Sequence, residues 1–308
     1  MSLRIGVIGA GHFGRFHTLK LRASGLAGLH DPDAARASQV AQEAGCQALG
    51  LEELLAASDA VVIATPTPTH ARLATLALET GLHVLVEKPV TATLAEADTL
   101  ISLAAGRRLV LMVGQIERHS AAIRTLREGL GNRRLRAIEA TRVAPFRPRG
   151  LDVSVVLDLM IHDLDLILSL VPAALAEVRA VGGRVASANT DWAVAQLRFA
   201  DGTQVQVTAS RLATGPERRL RAMGPEGELR VDFLARSLEY LAPGSGDPVE
   251  HLPGWGLARR GWTDHDSLEA EHAAFRAAIE TGAPFEADGP AGRAALDAAL
   301  RVEAAITG

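Results

Sequence analysis

A single cysteine, Cys46, stands in 308 residues, so the chain can form no internal disulfide and no cysteine-based metal centre. A lone thiol of this kind fits a reducing compartment, and the residue reads as a small buried hydrophobe. Aromatic residues make up only 4% of the chain, and the net charge is −4. A nucleic-acid partner is therefore not expected, because phosphate binding needs a concentrated basic surface. Long apolar runs are missing too. The stretch from Ala60 to Ala64 is typical and falls far short of the roughly 20 residues that a membrane-spanning helix needs. The opening segment, Met1 to Ala10, has one basic residue and runs directly into a glycine pattern that cleavage of a signal peptide would destroy, so it reads as the first strand of a cytoplasmic protein. Lysine is the scarcest charge: of 32 cationic residues, 30 are arginine and two are lysine, Lys20 and Lys88. Where arginine is the default, a lysine marks a place where a compact charge able to give up a proton has a use. Lys20 is explained by the exposed face of a first helix, whereas Lys88 is not.

What is present is a globular composition, 48% hydrophobic and 22% charged, in a chain long enough for roughly two domains. The first hundred residues alternate strand and helix. Strands are expected at 3–9, 26–30, 59–64, 83–87 and 109–114, with helices between them, which predicts a parallel sheet covered on both faces. The rhythm changes near residue 118. A helix over 120–130 and a strand over 134–144 lead through a Pro/Arg loop to an apolar helix over 155–171. Four or five strand-like segments joined by tight turns follow, with turn signals at Asp201-Gly202 and Pro225-Glu-Gly227, predicting an open, largely antiparallel sheet. Residues 244–261 read as a Pro/Gly/Trp loop, and helices near 264–281 and 290–306 close the chain. The expected organisation is a dinucleotide-binding domain over 1–118 and an α+β domain for substrate and oligomerisation over 119–308.

Three places carry chemistry. Gly9-Ala-Gly-His-Phe-Gly14 lies between a hydrophobic strand and a helix, the context in which the spacing becomes informative. Gly9 permits the turn, Gly11 lets backbone approach a pyrophosphate, Gly14 lets helix pack on strand, and the helix N-terminus offers free N–H groups to an anion. Asp31 follows at the end of the second strand. A carboxylate there accepts from both ribose hydroxyls and repels a 2′-phosphate, so NAD is expected in preference to NADP. The next strand ends carry Thr65-Pro66-Thr-Pro-Thr-His70 and Glu87-Lys88-Pro89, both opening onto the crevice where such sheets bind ligands. Pro89 keeps Lys88 out of helical conformation, and Glu87 is placed to pair with it. The third place is the apolar helix, where Asp158, His162 and Asp165 recur at i, i+4 and i+7. Buried carboxylates without partners are costly, so this stripe either faces a polar cleft or pairs with itself. Asp163 lies off the stripe and reads as a surface charge. Nothing nearby completes a metal-ligand set, so no metal is expected.

Taken together these residues resemble the Gfo/Idh/MocA family of pyridine-nucleotide sugar oxidoreductases. The resemblance runs over nearly the whole chain, through Gly9 to Gly14, Asp31, the Thr65-to-His70 loop, Glu87-Lys88-Pro89, Gly114 to Arg118, and Asp158 with His162. It implies a Rossmann domain followed by an α+β domain whose open sheet usually forms an oligomer interface, hence a homodimer or homotetramer. It further implies cofactor contacts from Gly9, Gly11, His12, Phe13, Gly14, Asp31, Thr65, Pro66, His70, Glu87 and Lys88. Lysine and histidine would sit beside the nicotinamide C4 and the substrate carbinol, roles that pass to Lys88 and His162, with Asp158 beside them and Arg118 on the substrate side. Two departures stand out. Family members have a Gly-rich approach to the helix aspartate and a glycine where this chain has Met160, so the substrate pocket is expected to be reshaped. The Asp-Leu-Met-Ile-His-Asp form is similar to the subset acting on UDP-N-acetylglucosamine at C3.

The chemistry this implies is hydride transfer between NAD and a secondary alcohol or ketone of a sugar, cyclitol or nucleotide sugar. His162 is the first candidate for the base, since an imidazole titrates near working pH, and Lys88 would stabilise alkoxide charge; the two can exchange roles. Arg147 and Arg149 either grip a substrate diphosphate or are solvated loop charges. Two other functions fit the same motifs: a redox-neutral, NAD-dependent glycosidase and a non-catalytic NAD-binding regulator.

Overall fold

The computed structural model describes residues 3–131, 133–147, 153–263 and 265–307. The chain divides into two compact units, the first comprising residues 1–119 and 266–293, the second residues 120–265 and 294–308.

The first unit is built on five parallel strands, β1 (Ile5–Ile8), β2 (Leu26–His30), β3 (Ala60–Ile63), β4 (His83–Glu87) and β5 (Leu111–Gly114), in the order β2-β1-β3-β4-β5. Every residue of β1 and β3 is buried. That is why these strands read as unbroken apolar runs: helices cover both faces of the sheet. The helices are α1 (His12–Leu21), α2 (Ala34–Ala44), α3 (Leu51–Ala57), α4 (His70–Glu79) and α5 (Leu94–Arg107). Their ends follow local chemistry. Asp33 accepts the Arg36 N–H at the start of α2, Gly45 ends it at φ +70°, and a reciprocal Thr93–Glu96 capping box opens α5. Strand order reverses around β1, so the carboxyl ends of β1 and β3 form the switch point where such sheets bind ligands.

The second unit holds α6 (Ala121–Leu130), β6 (Ala137–Val143), a five-residue π-helical turn over Val156–Met160, α7 (Ile161–Leu170), and the strands β7 (Leu175–Gly183), β8 (Trp192–Phe199), β9 (Gln204–Ser210), β10 (Glu217–Gly224), β11 (Gly227–Asp232), β12 (Ser237–Pro243), β13 (Asp247–Pro248) and β14 (Trp255–Gly261). Their order is β13-β14-β12-β11-β10-β6-β9-β8-β7, with β6 and β9 parallel and the other neighbours antiparallel. Alternate residues such as Ile138, Ala140, Ala195, Leu197, Val205, Val207 and Leu220 turn inward and form one core with Val156, Met160, Leu164 and Ile167.

Two expectations need correction. Residues 244–261 are not a loop: β13 and β14 extend the large sheet there, and Trp255 to Gly261 pairs along β12 through backbone bonds that glycine and arginine make as readily as apolar residues. The C-terminal helices also do not both belong with the second sheet. The helix α8 (Ser267–Thr281) packs with the first unit, where Phe275 and Ala287 join the core of β1, β3 and β4. After α8 the Ala287 carbonyl accepts the Val113 N–H and Asp288 bridges to Met112, covering the free edge of β5. The last helix, α9 (Gly289–Thr307), contributes Ala295, Ala298, Ala299 and Val302 to the second core. Cys46 is half-buried, and burial pushes its thiol up, as for an inert side chain. Among the described residues no helix is long and apolar enough to cross a membrane.

Candidate active site

In the first unit the glycine loop is formed as its spacing requires. Gly9 sits at φ +109°, a left-handed conformation that side chains rarely adopt, and a Cβ on it would strike the Ala64 carbonyl. A Cβ on Gly14 would collide with the Gly9 carbonyl oxygen, so α1 can meet β1 this closely only through glycine. Gly11 is different. A Cβ there meets nothing within 4 Å, so the loop faces open space at the N-terminus of the ten-residue α1. These are the features a bound pyrophosphate needs: close backbone approach, free N–H groups and the positive end of a helix dipole. His12 and Phe13 are exposed beside it, and the His12 ring meets Phe13 and Phe16 edge to face at 5.4 and 4.9 Å.

Asp31 reaches this loop. Its Oδ2 accepts the Ala10 N–H at 2.7 Å and its Oδ1 accepts the Asp33 N–H at 2.9 Å, while Arg36 Nη1 lies 3.9 Å away. Each oxygen retains a lone pair for a ribose hydroxyl. An adenosine ribose and pyrophosphate therefore fit the Gly9, Gly11, Gly14 and Asp31 set.

The two loops beyond β3 and β4 are tied together by His70. The ring is buried, its Nδ1 2.9 Å from the Pro89 carbonyl and its Nε2 2.8 Å from the Thr65 carbonyl. The expectation that His70 touches the cofactor is thereby corrected: both nitrogens are engaged by backbone, and the residue joins one ligand loop to the other. Thr65 Oγ1 bonds Thr69 Oγ1 at 2.7 Å, and Pro66 is exposed. Glu87 likewise departs from its expected side-chain pairing with Lys88. Its Oε1 lies 2.8 Å from His17 Nε2, and its Oε2 accepts the Lys88 backbone N–H at 3.2 Å. Lys88 is half-buried at the end of β4, and the Lys88–Pro89 peptide is cis. Arg118 donates to the Glu286 carbonyl at 2.7 Å.

In the second unit Asp158 and His162 are both half-exposed, although Val156, Met160, Ile161 and Leu164 around them are buried. Asp158 falls in the π turn, a rare form that recurs at functional sites. The expected three-residue stripe is broken, because Asp165 is 1% exposed. The assignment of Asp163 is also corrected. It is 3% exposed, and Arg142 grips it with Nε and Nη2 donating to Oδ2 and Oδ1, each at 2.8 Å. The off-stripe side of the helix faces β6, where Arg142 occupies an inward position in line with Ile138 and Ala140. Arg147 is exposed beyond β6, and Arg149 lies outside the described residues.

Sequence reasoning passed over His17, Glu271, His272 and Arg142, all buried. A signal for Arg142 was available in its period-2 register with Ile138 and Ala140. His17 and His272 carry no comparable mark, since only the packing of α8 brings them together.

Residues 3–115 match the family profile described as oxidoreductase family, NAD-binding Rossmann fold, and residues 131–230 match the Gfo/Idh/MocA C-terminal domain. The chain is 44% identical to UDP-N-acetylglucosamine 3-dehydrogenase of Acidithiobacillus ferrooxidans, covering 99% of this chain and 98% of that protein. A solved structure of that dehydrogenase superposes with a TM-score of 0.95 over 99% of this chain and 98% of that one. An inositol 2-dehydrogenase of Rhizobium meliloti is 28% identical over 98% of this chain and 97% of that protein. With both domain profiles matched in order and a full-length relative at this identity, the chain belongs to the Gfo/Idh/MocA family of NAD-binding oxidoreductases.

Proposed function

We propose that the chain interconverts a secondary alcohol and a ketone at C3 of a UDP-N-acetylhexosamine, with NAD as redox partner. The observation that carries this reading is the 44% identity to UDP-N-acetylglucosamine 3-dehydrogenase over 99% of the chain. The half-exposed Asp158 and His162 on a largely apolar helix, and Lys88 at the end of β4, supply the chemistry. NAD, when bound at the glycine loop and Asp31, supplies the hydride acceptor. His162 takes the proton of the reacting hydroxyl, Lys88 stabilises the negative charge that develops on its oxygen, and Asp158 orients the imidazole and the sugar. Arg147 and Arg149 hold the substrate diphosphate, and Arg118 lies on the substrate side. The same reading keeps the chain in the cytoplasm as a homodimer or homotetramer, which light scattering on the purified protein tests.

Incubation with UDP-N-acetylglucosamine and NAD should produce NADH and a 3-keto product. Replacing Lys88 or His162 by alanine should lower kcat by about 10²- to 10⁴-fold while NAD affinity stays near that of the wild type. Full activity in both variants overturns the assignment of roles. Cleavage of a glycoside without net NADH would favour the redox-neutral alternative, and no turnover with any sugar nucleotide, sugar or cyclitol would favour a regulator.

A further inference from the structure

Four ionisable side chains meet behind the Lys88 turn, and the chemistry proposed above uses none of them. They are His17 on α1, Glu87 at the end of β4, and Glu271 and His272 on α8. His17 and Glu271 are 0% exposed and His272 4%. His17 links two of the others, with Nε2 2.8 Å from Glu87 Oε1 and Nδ1 2.8 Å from His272 Nε2. Carboxyl oxygens of Glu87 and Glu271 and a nitrogen of His17 lie within 4.8 Å of one another. Neither oxygen of Glu271 has a hydrogen-bond partner among the described residues.

An ionised carboxylate in that position would be out of water, without a donor, and beside a second carboxylate, which is strongly unfavourable. Something electropositive must therefore accompany it. No cationic group on the neighbouring elements pairs with Glu271: Lys20 pairs with Asp266 and Glu269, Arg118 donates to the Glu286 carbonyl, and Arg276, whose Nη1 reaches the Leu3 carbonyl at 3.4 Å and whose buried Nε and Nη2 have no hydrogen-bond partner among the described residues, makes no hydrogen bond to either Glu271 oxygen. Glu117 and His119, on the 3₁₀ turn that packs against α8, complete the titratable surroundings. A metal ion fits poorly. Ligand atoms around a tetrahedral zinc stand about 3.3 Å apart, whereas His17 Nε2 and Glu87 Oε1 are separated by 2.8 Å, the spacing of a hydrogen bond. A proton remains.

We propose that Glu271 is held as a neutral carboxylic acid, its O–H directed to Glu87 through one water, and that it thereby acts as a positioning residue for Lys88. Glu87 then has one oxygen on His17 and the other on the Lys88 N–H, and the shared proton keeps it there. Burial first, and then the Glu87 charge, push the Glu271 carboxyl well above its usual range, while His272 stays neutral and adds no charge to the cluster. The positioning role rests on the reading of Lys88 as a catalytic residue; the protonation does not.

Two measurements separate these parts. A carboxyl with a raised native value stabilises the fold fully below its ordinary value of 4.5 and loses that contribution as pH rises through the native value. Thermal unfolding of the wild-type chain should therefore show a loss of stability on the alkaline side that Glu271→Gln, which keeps an N–H donor and never ionises, abolishes. An unchanged alkaline limb in that variant overturns the neutral acid, as does one equivalent of metal retained by the purified protein. For positioning, Glu271→Gln should keep kcat within about twofold and remove the alkaline fall in kcat, and Glu271→Ala should lose about 10- to 100-fold in kcat with little change in NAD affinity. If Glu271→Gln folds yet loses as much activity as Glu271→Ala, the positioning role fails. Wild-type activity in Lys88→Ala would remove the reading of Lys88 and leave the unfolding experiment decisive for Glu271.

Discussion

Arg142 and Asp163 form a two-bond fork, 2.8 Å on each arm, with both residues almost wholly out of water. The fork joins β6 to the first turn of α7 and so fixes the rotation of the helix that presents His162. Removing one partner leaves the other charge buried and unpaired. Arg142→Ala should cost about 3–5 kcal/mol in urea unfolding, whereas the paired replacement Arg142→Met with Asp163→Leu should recover most of that loss.

Gly11 and Gly14 should separate binding from folding. A methyl group on Gly11 enters open space, so Gly11→Ala should leave thermal stability within about 0.5 kcal/mol of the wild type but weaken NAD binding tenfold or more. Gly14→Ala places its methyl group against the Gly9 carbonyl and should lower both stability and affinity. Calorimetric unfolding and NAD titration of the two variants distinguish the outcomes.

Asp31 carries the expected discrimination against NADP. Its carboxylate is 7% exposed as a side chain and holds the glycine loop through the Ala10 N–H. Asp31→Asn keeps an acceptor oxygen for that bond and removes the charge. The ratio of NADP to NAD dissociation constants should fall by about tenfold, equivalent to about 1.4 kcal/mol, with Arg36 available to a 2′-phosphate. An unchanged ratio in fluorescence titrations would show that another group makes the choice.

Acid should act through His272. Burial, followed by the neighbouring His17 ring and Arg276, lowers its value from 6.5 to about 3. The unfolded chain therefore binds a proton that the folded chain refuses. The contribution to stability is complete above pH 6.5 and is lost as pH falls toward 3. Melting temperatures of His272→Gln should decline less steeply across that window than those of the wild type.

The parallel sheet was legible because β1, β3 and β5 are buried throughout and β4 along its middle, so that they read as unbroken apolar runs, each next to a glycine or proline signal. The glycine loop, Asp31 and the Glu87-Lys88-Pro89 turn were legible for the same reason, since each is a short contiguous segment whose backbone conformation depends on its own residues. Residues 255–261 were misread because a strand stabilised by backbone pairing to β12 needs no periodic apolar side chains.

Composition and local order alone determined two sheets of opposite character, an NAD-type loop and a helix bearing Asp158 and His162. Which polar groups on that helix are open and which are gripped was decided only when Arg142 met Asp163 across the second unit. The return of α8 to the first unit likewise set Glu271 and His272 beside His17 and Glu87, residues far apart along the chain. Such pairings depend on long-range packing, and nothing in the spacing of residues along one segment encodes the partner that burial will bring.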